Sequence, residues 1–148
     1  MSRRNEIRMT PEEQEAFLHA ASKASLSTVD QDGFPHVVAM GFLVKDGAIY
    51  MTSYGKAQKV LNIRRNPKVG VMIETGTQYA EYRGIMIRGH CEIIEETERV
   101  AAIMRESTAK NSGVPRDDAV SRAPKRVALK ITPEKVATWD HSKLGGRY

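Results

Sequence analysis

Two Asp-Gly pairs, Asp32-Gly33 and Asp46-Gly47, constrain the fold more than any other feature of the chain. Asp-Gly is the pair that a two-residue hairpin turn favours, because such a turn needs positive φ at its centre. Each pair stands between short runs of the residues that strands prefer. Leu26 to Val29 precedes the first pair, His36 to Val44 lies between the two, and Ala48 to Ser53 follows the second. Pro35 opens the middle run, where a missing N–H costs least. Turns this close together leave no room for a crossover helix, so the strands form an antiparallel meander and not βαβ units.

Later segments extend this pattern. Val69, Val71 and Ile73 alternate along a fourth strand, Tyr79 to Ile94 reads as a long fifth strand bent at Gly84 or Gly89, and Val127, Leu129 and Ile131 mark a sixth. Val136 to Trp139 extends that last strand beyond Pro133. Helices punctuate the set. Thr10-Pro11-Glu12-Glu13 carries the Thr cap, the early Pro and the Glu of a capping box, followed by Phe17, Leu18 and Ala21 on one side. Lys56 to Arg65 reads as a short helix stopped by Asn66-Pro67. Thr97 opens another, with Val100, Ile103 and Met104 on one face, and Ser107 to Pro124 reads mostly as loop. The expected fold is mainly β: a six-stranded antiparallel split barrel of Greek-key type with peripheral helices, which leaves no exposed sheet edge. No repeat or linker divides the chain, and 148 residues suit one domain spanning 1–148.

Composition sets the compartment and excludes some partners. No apolar run is long enough to cross a bilayer, and no apolar stretch follows the first residues as in a secretory leader. A single cysteine allows no internal disulfide and fits a reducing cytoplasm. The net charge of +5 favours anionic partners. No RNA-binding aromatic signature or recognition-helix pattern accompanies it, so nucleic acid is not an expected partner.

The stretch Thr52-Ser53-Tyr54-Gly55-Lys56-Ala57-Gln58-Lys59 is the most informative local feature. A strand delivers two hydroxyls, Gly55 permits a tight corner, and Lys56 and Lys59 share a helix face three residues apart. Free N–H groups at the helix start add positive potential. The set suits a phosphate, but a polar turn beside a solvated lysine face explains it equally well. It is not a P-loop. His90 and Cys91 are adjacent on a strand and point to opposite faces, so they do not ligate one metal; no metal site is expected. No Ser–His–acid set suggests a hydrolase, and no residue stands out as catalytic.

Three passages together resemble the flavin-binding split-barrel family typified by pyridoxamine 5′-phosphate oxidase. They are Leu26 to Val38 with its Asp-Gly turn, Met51 to Lys59 continuing into Asn62-Ile63-Arg64-Arg65-Asn66-Pro67-Lys68-Val69, and Arg83 to Gly89. The closer resemblance is to the subgroup of FMN- or F420-dependent oxidoreductases. It implies that Thr52, Ser53 and Lys59 hold the cofactor phosphate with help from Lys56. Val37, Val38, Ala39 and Met40 would lie along the ring system. It also implies a homodimer with the cofactor between protomers, so that Tyr79, Arg83 and Trp139 reach it from the partner chain. The chain departs from the family at Ala57, where many members carry Arg, and at Gly84, where the oxidase proper has a flavin-binding Gln. The oxidase's C-terminal substrate segment has no counterpart, which argues against pyridoxamine phosphate as substrate. The resemblance therefore implies an oxidoreductase that passes a hydride between FMN or F420 and a small organic molecule. A non-catalytic flavin or haem carrier on the same barrel is the alternative. FMN and F420 share a phosphate-linked ribityl chain, so one phosphate grip serves both.

Overall fold

The computed structural model describes residues 2–112 and 119–147. Helices α1 (Arg3–Glu6) and α2 (Pro11–Ala20) precede strands β1 (Lys23–Val29), β2 (Pro35–Gly41), β3 (Leu43–Lys45) and β4 (Ala48–Tyr54). Then come α3 (Gln58–Arg65), β5 (Lys68–Thr75), β6 (Arg83–Ile94), α4 (Thr97–Ser112), α5 (Ala119–Arg122) and β7 (Arg126–Asp140).

The strands form one antiparallel sheet in the order β2-β1-β5-β6-β7-β4-β3. Its two edge strands, β2 and β3, are consecutive in the chain and separated only by Phe42, which is fully buried. The six expected strands are therefore seven because the second one bends at Phe42. Its first half pairs with β1 and its second with β4, so the sheet curls back on itself. β4 leaves the meander to pair with β7, the crossover that a Greek key requires.

Alternation fills the interior. Leu26, Met51, Val71, Ile73, Ile85, Ile87, Leu129 and Ile131 are buried in one cluster, joined by Val60 and Ile63 from α3. Cys91 belongs to this core. A smaller cluster of Ile94, Val100, Ala101, Met104, Ala123 and Ala128 seats α4 on the sheet. At α2, Glu13 N–H donates to Thr10 Oγ1 at 3.2 Å and Thr10 N–H to Glu13 Oε2 at 2.8 Å, closing the expected capping box.

Two expectations change. Tyr79–Glu81 forms one turn of 3-10 helix, so the fifth expected strand begins only at Arg83. β7 runs through Pro133 as one strand of 15 residues, as expected. A register shift at Arg88/Gly89 sets Gly89 opposite Pro133 and accommodates the proline. A Cβ on Gly89 would lie 2.5 Å from the Thr132 carbonyl oxygen, so the close approach of the two backbones requires glycine there. The second change is α4, which runs to Ser112, well into the segment read as loop. Residues 113–118 of that segment lie outside the described residues.

Candidate functional site

At the end of β4 the chain turns into α3. The alternation of the strand puts its two hydroxyls on opposite faces. Ser53 points inward, is 4% exposed, and donates from Oγ to the Tyr54 carbonyl at 3.3 Å. Thr52 points outward and is half-buried. Gly55 has an ordinary negative φ, and a Cβ there would make only ordinary contacts, with Val127 at 3.6 Å and the Lys125 carbonyl oxygen at 4.0 Å, so this corner does not depend on glycine. Ala57 caps α3 with no side-chain hydrogen bond, which leaves the first N–H groups without a side-chain acceptor. Lys56 is exposed and Lys59 half-buried, and neither has an ion pair or side-chain hydrogen bond among the described residues.

A cavity of about 690 Å³ opens on this corner. Tyr54, Lys56, Arg64, Lys125 and Arg126 line it, and Glu95 is the one carboxylate among the lining residues. Of the expected phosphate ligands, only Lys56 reaches it. Thr52, Ser53 and Lys59 do not line it. Arg64 is already paired with Glu95 at 2.6 Å, and Lys125 has no partner among the described residues. Arg126 stacks its guanidinium over the Tyr54 ring at 4.2 Å, and its buried Nε has no hydrogen-bond partner among the described residues. Three uncompensated cations therefore surround one cavity. The two that sequence reasoning missed, Lys125 and Arg126, come from far along the chain. The β4–β7 register that pairs Tyr54 with Arg126 brings them in.

Arg65 is structural. Its guanidinium donates to the Val29 carbonyl at 3.0 Å and lies 3.4 Å from Asn62 Oδ1. Asn62 is fully buried and donates to Thr28 Oγ1 at 3.0 Å, tying α3 to β1. Beside it, His36 faces Thr28 across β1–β2, and its buried Nδ1 has no partner among the described residues.

β2 divides its four expected ring contacts. Val38 and Met40 pack on the core, whereas Val37 and Ala39 face outward. Val37, Ser25, Ser27, Gly70, Met72 and Met86 line a shallow cavity of about 260 Å³ on the outer face of the sheet. Val37 is 60% exposed, Met72 43% and Met86 42%, an apolar patch without a covering element.

The remaining expected contacts lie where β6 begins and β7 ends. Arg83 Nε donates to Asp140 Oδ2 at 3.1 Å. Asp140 is 5% exposed and also accepts from the Ser142 N–H and hydroxyl. Trp139 Nε1 donates to Glu74 Oε2 at 2.8 Å. Its indole lies flat against Gly84, where a Cβ would come within 2.3 Å of the ring, so glycine at this position is what seats the tryptophan. Tyr79 is half-exposed and packs on His141 with ring centroids 4.5 Å apart. Burial pushes the Cys91 thiol up to about 12, with Glu92 adding to the shift, so Cys91 is an inert core residue. No group of three His, Cys, Asp or Glu residues is placed to hold a metal among the described residues, and none of their helices is long and apolar enough to cross a membrane.

A family model described as pyridoxamine 5′-phosphate oxidase matches residues 10–140. No curated protein matches the sequence. A conserved hypothetical protein from Mycobacterium tuberculosis is 32% identical over 100% of this chain and 95% of its own, with a TM-score of 0.91. A protein described as an F420 reductase is 26% identical, with a TM-score of 0.73 over 86% of this chain and 98% of its own. The haem storage protein HutZ of Vibrio cholerae shares only the fold, at 16% identity and a TM-score of 0.70, over 92% of this chain and 99% of its own.

Proposed function

The chain belongs to the pyridoxamine 5′-phosphate oxidase family, and from that premise we propose that it is an oxidoreductase that binds FMN or F420 and passes a hydride between that cofactor and a small organic substrate. The single observation that carries this reading is the cavity at the β4–α3 corner, where Lys56, Lys125 and Arg126 form no ion pair and the one carboxylate of the lining, Glu95, is taken by Arg64. Cations gathered without counter-charges repel one another, and a bound phosphate relieves that repulsion. Arg126 is also pre-oriented on Tyr54, so less freedom is lost when it meets an anion. Lys59 and the uncapped N–H groups of α3 add donors on the other side of the same corner. The similar protein described as an F420 reductase supports the deazaflavin as one of the two candidates.

The outer face supplies the rest of the reading. Val37 and Ala39 offer the cofactor ring an apolar shelf. A second copy of the chain covers the exposed patch around Met72 and brings Tyr79 and Trp139 towards the partner's cofactor. Arg83 serves there by holding Asp140 and the strand end in place.

Titration of the purified protein with FMN and with F420 tests the proposal. One of them is expected to bind, and Lys59→Ala or Lys56→Ala to weaken binding by about 1.5–3 kcal/mol, the range for a charged hydrogen bond. If neither cofactor binds, the reading fails. Reduction of the bound cofactor, by NAD(P)H or by exchange with reduced F420, followed by reoxidation with an organic acceptor, identifies a catalyst. Binding without turnover identifies a carrier. Sedimentation at twice the chain mass checks the dimer.

A further inference from the structure

A second cavity, of about 520 Å³, lies between the N-terminal segment and the second half of β7. β7 pairs with β4 only as far as Ile131, so residues 132–140 have β6 on one side and an open edge on the other. The N-terminal segment runs beside that edge. Asp140 N–H donates to the Ile7 carbonyl at 2.7 Å, and Met9 N–H donates to Thr138 Oγ1 at 3.0 Å. Between these attachment points and Lys135 the two elements stand apart. Arg4, Arg8 and Lys135 line it together with Gln14 and Thr138, and Met86 and Ala137, cross-strand neighbours on the outer face, give it an apolar side. No carboxylate lines the cavity. None of the three cationic side chains has an ion pair or side-chain hydrogen bond among the described residues. The nearest acid along the strand, Glu134, is engaged by His90 at 3.2 Å and Arg88 at 3.9 Å.

We infer that this cavity binds a small organic acid, with the carboxylate on Arg4, Arg8 and Lys135 and the apolar body on Met86 and Ala137. Three physical features carry the assignment. The volume lies within the range of small-molecule sites, roughly 300–1,000 Å³. Arginine presents a planar fork of donors that matches a carboxylate. Two arginines and a lysine without counter-charge in one cavity favour an anion, and the apolar side formed by Met86 and Ala137 favours one that carries an apolar body. Met86 also lines the shallow outer-face cavity with Val37 and Met72, so the two cavities adjoin. An acid held here lies beside the shelf assigned to the cofactor ring. Its role as the second reactant rests on that reading; its binding does not.

The test uses benzoate as probe and benzamide as its uncharged match, followed by amide and arginine Nε chemical shifts of the full chain without cofactor. Saturable shifts at Arg4, Arg8, Val136 and Ala137 are expected with benzoate and not with benzamide. The double variant Arg4→Ala/Arg8→Ala is expected to weaken benzoate on the order of tenfold, about 1.4 kcal/mol. Both arginines are exposed and their side chains make no internal contact, so the variant is expected to keep its melting temperature. Absence of saturable shifts at these residues, equal response to benzamide, or unchanged affinity in the double variant overturns the site. Because no cofactor is present, such a failure leaves the cofactor reading untouched. With cofactor-loaded protein, benzoate is expected to shift the cofactor absorbance. Binding without that shift overturns the acid's assignment as reactant.

Discussion

Lys56, Lys59 and Lys125 at the β4–α3 corner carry three ammonium groups with no carboxylate to answer them among the described residues. Arg83, at the start of β6, is held by a buried aspartate at 3.1 Å, and beside it Trp139 is held by Glu74 at 2.8 Å. Both regions resemble cofactor contacts in the sequence. Their local chemistry differs: the first leaves its polar valences open, and the second has closed them within the chain. An open cation cluster does little for stability and awaits a ligand. A closed ion pair on a buried carboxylate holds the fold, because removal of one partner strands the other. Substitutions at the β6–β7 end are therefore expected to cost stability, and those at the β4–α3 corner to cost binding.

The largest stability effect is expected from Asp140→Ala. Asp140 is nearly inaccessible, answers Arg83, and accepts two hydrogen bonds from Ser142 at the following turn. Its loss leaves Arg83 half-exposed without a partner and unties that turn. A cost of about 2–4 kcal/mol is expected, discounted from the fully buried case because Arg83 keeps contact with water. Denaturant unfolding measures it. A loss below about 0.5 kcal/mol breaks the comparison. Gly84→Ala comes next. The added methyl displaces the indole of Trp139, which can swing outward because it is half-exposed, so a cost of about 1–3 kcal/mol is expected. Trp139 is the only tryptophan, so its fluorescence reports the displacement directly.

How much of this was legible follows from the range of each interaction. The hairpin turns, the capping box of α2 and the Asn66-Pro67 stop are local and could be read from neighbouring residues. The interruption at Phe42 had only Gly41 beside it as a signal, and a glycine inside a strand run marks a close backbone approach as readily as a bend. The chain bends there since its strand must serve β1 and β4 in turn. The extension of α4 to Ser112 was hidden for a different reason. Ser107, Thr108, Asn111 and Ser112 are weak helix formers. The last turns are held by Thr108 and Ser112 donating to carbonyls four residues back, and by Lys110 donating to the Leu18 and Phe42 carbonyls. The site divides in the same way. Lys56 stood out in the sequence; Lys125 and Arg126 join it at the cavity only through strand pairing, and Lys59 stays outside. Thr52 and Ser53 look like a pair in sequence, but the alternation of the strand separates them.

The smallest effect sharpens the comparison most finely. Glu74→Gln keeps an oxygen that can accept from Trp139 Nε1 and removes only the charge. The hydrogen bond is exposed, its indole donor is neutral and the amide oxygen still accepts, so a stability change below about 0.5 kcal/mol is expected. The indole remains seated because Gly84, not the charge of Glu74, provides its place. Tryptophan emission should therefore be unchanged in the free protein. If a cofactor ring comes to lie near Trp139 from a partner chain, its quenching of that emission should also survive the substitution. Emission that shifts as far in Glu74→Gln as in Gly84→Ala would show that the carboxylate orients the ring. The β6–β7 end would then be held by its charges and not by its packing.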